Sequence, residues 1–190
     1  PEKGPRAADA PARAFVGDRR SSVFPVPPRA VLAATSYEAA NAESERISGK
    51  RISVQTYSLR DRIFEVEAAL REHVIEIHPE VSFRAMAGRP LRYAKNTWNG
   101  MQERLAALER HRINLPLEPL PKLGKAGIDD VLDAAAAAWS AWRVANGDGL
   151  TLPAFESSTL AGRRIVTVKV GALPLSGPDS ARLVARHPVR

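Results

Sequence analysis

Residues 128–146, IDDVLDAAAAAWSAWRVAN, constrain this chain more than any other stretch. Their spacing predicts a helix, ended by Gly147 and Gly149. The helix body runs from Val131 and Leu132 through Ala134 to Ala138, then to Trp139 and Trp142, and is apolar nearly all round. Such a helix is stable only when buried, and its alanines let a neighbouring backbone come close. Any fold for this chain must therefore wrap one long helix. Yet Asp129, Asp130 and Asp133 crowd its start. Asp129 suits the N-cap, where a carboxylate accepts unpaired N–H groups. Asp130 and Asp133 are three apart and so share a face. They would repel each other unless a proton or a cation came between them. Dipole compensation and metal binding both account for that pair.

The remaining segments predict what covers the helix. Residues 5–16 read as a short helix interrupted by Pro11, and 36–47 as a helix capped by Ser36. Between them Pro25, Pro27 and Pro28 impose extended or turn backbone. Residues 55–72 place Leu59, Ile63, Val66 and Leu70 on one stripe, which predicts an amphipathic helix. Residues 96–112 predict another, with Met101, Leu105 and Leu108 as its apolar face. The β-branched run Val74, Ile75, Ile77, stopped by Pro79, predicts a strand over 74–78, and RRIVTVKV a second over 163–170. Strands alternating with helices point to a layered α/β fold. Two strands cannot cover four helices. The expectation is therefore a homo-oligomer or heavily exposed apolar surface, or further strands upstream of Pro1.

The charge is lopsided. The chain carries 28 Lys and Arg against 21 Asp and Glu, a net +7. Much of the excess falls in 161–190, where Arg163, Arg164, Lys169, Arg182, Arg186 and Arg190 face Asp179 alone. A basic balance favours polyanions, nucleic acid among them. Arg20 and Arg29, flanking the Pro-rich stretch, are candidates for phosphate contact. No apolar run approaches the roughly 20 residues that span a bilayer. The absence of cysteine excludes disulfides and thiolate metal sites and fits a reducing, cytoplasmic setting.

On the 74–78 strand Glu76, His78 and Glu80 alternate onto one face, with Glu80 just past the C-terminal end. Ligands bind there in open α/β sheets. A solvent-facing strand edge is the plainer reading of Glu76 and His78. A strand-end carboxylate beside a D-x-x-D helix start is also the hard-oxygen arrangement that Mg²⁺ or Mn²⁺ prefers.

The segments RRSSVFPVPPR, HPEVSF and DDVLDAAAAAW, with GK…S.QT at 49–56, resemble the motifs of the family known as domain of unknown function 429. The likeness runs from about Pro1 to Gly149. That family is predicted to be RNase H-like nucleases. The D-x-x-D-A at Asp130–Ala134 also resembles the last acidic helix of RuvC-type resolvases, and EVSF at Glu80–Phe83 resembles their acidic strand. The resemblance implies an RNase H-like α/β domain over 1–171, followed by a basic tail over 172–190. It implies Glu80, Asp130 and Asp133 as catalytic carboxylates and ligands of Mg²⁺ or Mn²⁺, with Glu76 as the substitute in another register. It also implies a first strand bearing a further Asp, which PEKGPR does not match. The expected activity is metal-dependent phosphodiester hydrolysis, weak or lost in this chain. The alternative is a non-catalytic nucleic-acid-binding or scaffold protein.

Overall fold

A computed structural model describes residues 6–71, 74–116, 123, 126–152 and 166–168. His73, His187 and the expected 172–190 tail lie outside the described residues. The described chain is dominated by helices: α1 (Asp9–Val16), α2 (Arg29–Leu32), α3 (Tyr37–Ser48), α4 (Val54–Ser58), α5 (Arg60–Ala69), α6 (Pro79–Ala87), α7 (Trp98–Arg110) and α8 (Ile128–Ala145). A 3-10 turn over Gly17–Ser22 follows α1. Strand β1 (Gly149–Thr151) pairs antiparallel with β2 (Val166–Val168), Leu150 opposite Thr167.

The helix ends follow local chemistry. Pro11 falls in the first turn of α1, where its missing N–H is no loss, so it does not interrupt the helix. Ser36 caps α3, its hydroxyl accepting from Ala39 N at 3.1 Å. Thr97 caps α7 in the same way through Gly100 N. At the other end of α3, Gly49 takes a left-handed conformation with φ 67°, which suits glycine.

Helices α6, α7 and α8 pack around Phe83, Met86, Leu91, Leu108, Leu132, Ala136 and Trp139. Here α8 is covered on one face only: Leu132, Ala136 and Trp139 face inward, while Ala134, Ala138, Ala141 and Trp142 stay exposed, so the all-round burial expected from its composition is not met among the described residues. Ser82 of α6 and Ser140 of α8 meet at 2.8 Å, both fully buried, where the two helices approach closely. A second apolar cluster joins α1 to α6 and to the residue after β1 through Ala12, Val16, Val23, Val81 and Leu152.

Two segments depart from the sequence expectation. The helix over 55–72 is divided into α4 and α5. Contacts distant in sequence set that division. Tyr57 packs on Tyr37, and both the Tyr57 hydroxyl and the Arg60 guanidinium donate to the carbonyl of Ala34. The strand over 74–78 is reduced to one bridged residue, Glu76. Pro79 starts α6 instead of merely ending a strand, because the first helical position needs no N–H. Among the described residues the only sheet is the β1–β2 pair.

Candidate functional site

Glu80 lies in the first turn of α6, not past a strand end. The face-sharing argument made for a strand therefore does not extend to it. Its side chain points into the core and is 4% exposed. There it meets Arg104 of α7, which is 1% exposed. The Arg104 Nε donates to Oε1 at 2.9 Å, and Nη2 donates to Oε1 and Oε2 at 2.6 and 2.7 Å. Nη1 donates to the carbonyl of Gly100 at 2.7 Å. A planar guanidinium matches a carboxylate in this paired fashion. Both Glu80 oxygens are thereby taken.

Asp129 keeps its expected place at the helix start, where the amides of Asp129 and Asp130 help to hold its carboxylate down. Asp130 turns outward and also takes a backbone N–H, that of Gly127 at 3.0 Å. Asp129 further shares Lys95 with Asp133. The Lys95 ammonium lies 3.2 Å from Asp129 Oδ2 and 2.9 Å from Asp133 Oδ2. The face that holds a cation is thus the i, i+4 pair 129/133, not the i, i+3 pair 130/133. Burial pulls the Lys95 amine down, but the Asp133 and Asp129 carboxylates more than reverse this and leave it above its ordinary value. The hydrogen bond from Lys95 holds Asp129 below the ordinary carboxylate range.

The second oxygen of Asp133, Oδ1, is buried without a hydrogen-bond partner, and so is Nδ1 of His78. His78 precedes Pro79, and its Nε2 lies 3.2 Å from the carbonyl of Ser22. A carbonyl only accepts, so Nε2 carries the proton and Nδ1 keeps its lone pair. Burial lowers the His78 pKa, against the opposing pull of the Ser22 carbonyl and of the Glu80 and Asp133 carboxylates. Burial thus favours the neutral imidazole at His78.

The other expected residues lie elsewhere. Glu76 pairs with Arg6 at 2.5 Å on the exposed side of the chain. Arg29 pairs with Glu67 and lies over the ring of Phe64, with more than half of its side chain exposed. Arg20 stands exposed on the 3-10 turn.

A two-ion magnesium or manganese centre needs several carboxylate oxygens free to point at the ions. Glu80 offers none, Asp130 turns one back to its own helix, and Asp133 offers one. Among the described residues no three His, Asp or Glu side chains group as a metal site requires. The residues as arranged do not fit that group.

Two residues at this site, Arg104 and Lys95, were not singled out from the sequence. Arg104 had a signal. It falls between Met101, Leu105 and Leu108 on the apolar stripe of α7, where a charge demands a buried partner. Lys95, in an irregular segment, had none.

Comparison with known proteins gives one match. The model of the family described as "Protein of unknown function (DUF429)" covers residues 1–157, and the chain belongs to that family. No curated protein and no solved structure matches the chain.

Proposed function

From that membership we propose that the chain is an RNase H-like member of the metal-dependent nuclease class that, in this arrangement, contacts nucleic acid without cleaving it. One observation carries the second half of the reading. Glu80 gives both oxygens to Arg104, while Asp130 gives one to Gly127 and Asp133 one to Lys95, which leaves too few for two ions. The net charge of +7 and the exposed Arg20 support a polyanionic partner. Exposed Tyr93 and Trp98 offer flat faces on which unpaired bases stack. A cytoplasmic location belongs to the same proposal and rests on the cysteine-free composition. No helix among the described residues is long and apolar enough to cross a membrane.

The test mixes the chain with labelled single- and double-stranded DNA and RNA, with and without millimolar Mn²⁺. Binding that weakens steeply with salt, and no product, is the expected result. Cleavage that disappears in Asp133→Asn would overturn it in favour of an active nuclease. The buried, unpartnered Oδ1 of Asp133 and Nδ1 of His78 are the observation that favours this second reading. Absence of binding even at low salt would leave a scaffold role. Self-association is the matching proposal for Leu59 and Val66, which are exposed on the 54–69 stripe. Sedimentation at micromolar concentration checks it, and a compact monomer would refute it.

A further inference from the structure

The Glu80–Arg104 pair extends beyond α6 and α7. Besides Gly100 O, Arg104 Nη1 reaches the carbonyl of Tyr93 at 3.3 Å. The adjacent Glu103 takes the amides of Arg92 and Tyr93 at 2.9 and 3.2 Å, and pairs with the Arg89 side chain at 2.7 Å. The 88–97 segment is thus fastened to α7 through both amides and a carbonyl. The next residue is equally close. A Cβ added at Gly100 would fall 1.8 Å from the carbonyl of Ala94, so only glycine admits that approach. Lys95 follows Ala94 directly and so comes immediately after both fastenings. Its ammonium meets Asp129 and Asp133 of α8.

We propose that Glu80 is a positioning residue: through Arg104 it holds the 88–97 segment so that Lys95 stands against Asp129 and Asp133 as the chain's own counter-cation. A carboxylate that the family resemblance assigns to metal binding would thus serve to install an ammonium where a cation is wanted. Alone, Arg104 would be an uncompensated buried charge, and its fifth N–H would not stay aimed at Tyr93. An ammonium tethered in place competes with free cations at a high effective concentration. The inference does not depend on nucleic-acid contact, so it can fail while the earlier reading stands.

The test reads the reactivity of Lys95. The folded chain is labelled with a limiting amount of an amine-reactive reagent, and the peptides are quantified against the exposed Lys50 as reference. In the wild-type chain Lys95 is expected to label more slowly than Lys50. In Glu80→Gln the Lys95 to Lys50 ratio is expected to rise several-fold below the unfolding transition. Asp133→Asn, which removes one partner directly, sets the scale of that rise. Should Glu80→Gln not fold, Glu80→Gln/Arg104→Met removes both charges at similar volume, and the same rise is expected there. A merely structural role would move the unfolding midpoint and leave the ratio unchanged. Protection of Lys95 retained in a folded variant without the Glu80 carboxylate would overturn the proposal.

Discussion

Helices α6, α7 and α8 meet over Phe83, Leu108, Leu132 and Trp139, whereas α2 to α5 meet largely over backbone carbonyls. In the second region Asn41 accepts from Ile52 N, Tyr37 donates to Ile52 O, Ser44 donates to Lys50 O, and Tyr57 and Arg60 donate to Ala34 O. Its buried apolar residues are Val31, Leu32 and Ala40, and α5 buries no residue at all. The same type of element is thus stabilised in two ways. The α6–α8 region combines apolar area with a buried ion pair. The α2–α5 region relies on hydrogen bonds, each worth about 1 kcal/mol net, and leaves apolar side chains in water. Opening should therefore be local and easy in the second region, and global in the first.

The largest expected effect breaks the comparison at its stronger side. Arg104→Met leaves Glu80 buried without a partner and is expected to cost about 3–5 kcal/mol. Urea unfolding measures it, and the loss should fall on the whole transition. A loss under about 1 kcal/mol would show that the pair is solvated in solution. Next comes Asn41→Ala in the weaker region. It leaves the part-buried amide of Ile52 unpaired, at a cost of about 1 kcal/mol. Amide exchange within 36–60 should speed up, with little change in α6 to α8.

The third effect depends on pH. Burial sets the folded pKa of His78 below its ordinary 6.5, so the unfolded chain takes up this proton first as pH falls. The contribution to stability is complete above about pH 6.5 and is lost as pH drops through that value toward the folded pKa. His78→Gln should therefore flatten the fall in unfolding midpoint between about pH 7.5 and 5.5. An unchanged slope would mean that His78 is exposed in solution. The smallest effect is expected at Lys95, whose side chain is 42% exposed. Lys95→Met should change stability by no more than about 1 kcal/mol, and less in high salt. Thermal melts at low and high ionic strength check this.

Much of the helical layout was legible in the sequence because its signals are local. The Ser36 cap, the apolar face of 96–112 and the all-round apolar 128–146 segment each declare a helix within a few residues. The expected strand over 74–78 misled for the converse reason. A β-branched run states a preference for extended backbone, but a ladder needs a partner, and Glu76 alone is bridged. The site was read in its residue types and misread in its pairings. An acidic start to α8 was visible, but which carboxylate caps and which holds a cation depends on the helix's rotation against its neighbours.

The sequence by itself determined the Ser36 cap of α3 and the apolar faces of α7 and α8, because hydrogen bonds and apolar periodicity within an element involve residues a turn apart. Only the tertiary structure decided the role of each charge. Arg104 finds Glu80 across 24 residues and Lys95 finds Asp133 across 38. A buried charge requires a counter-charge, but nothing local names it. The packing of α6, α7 and α8 chooses the partner, and so turns an expected metal ligand into the anchor of a buried ion pair.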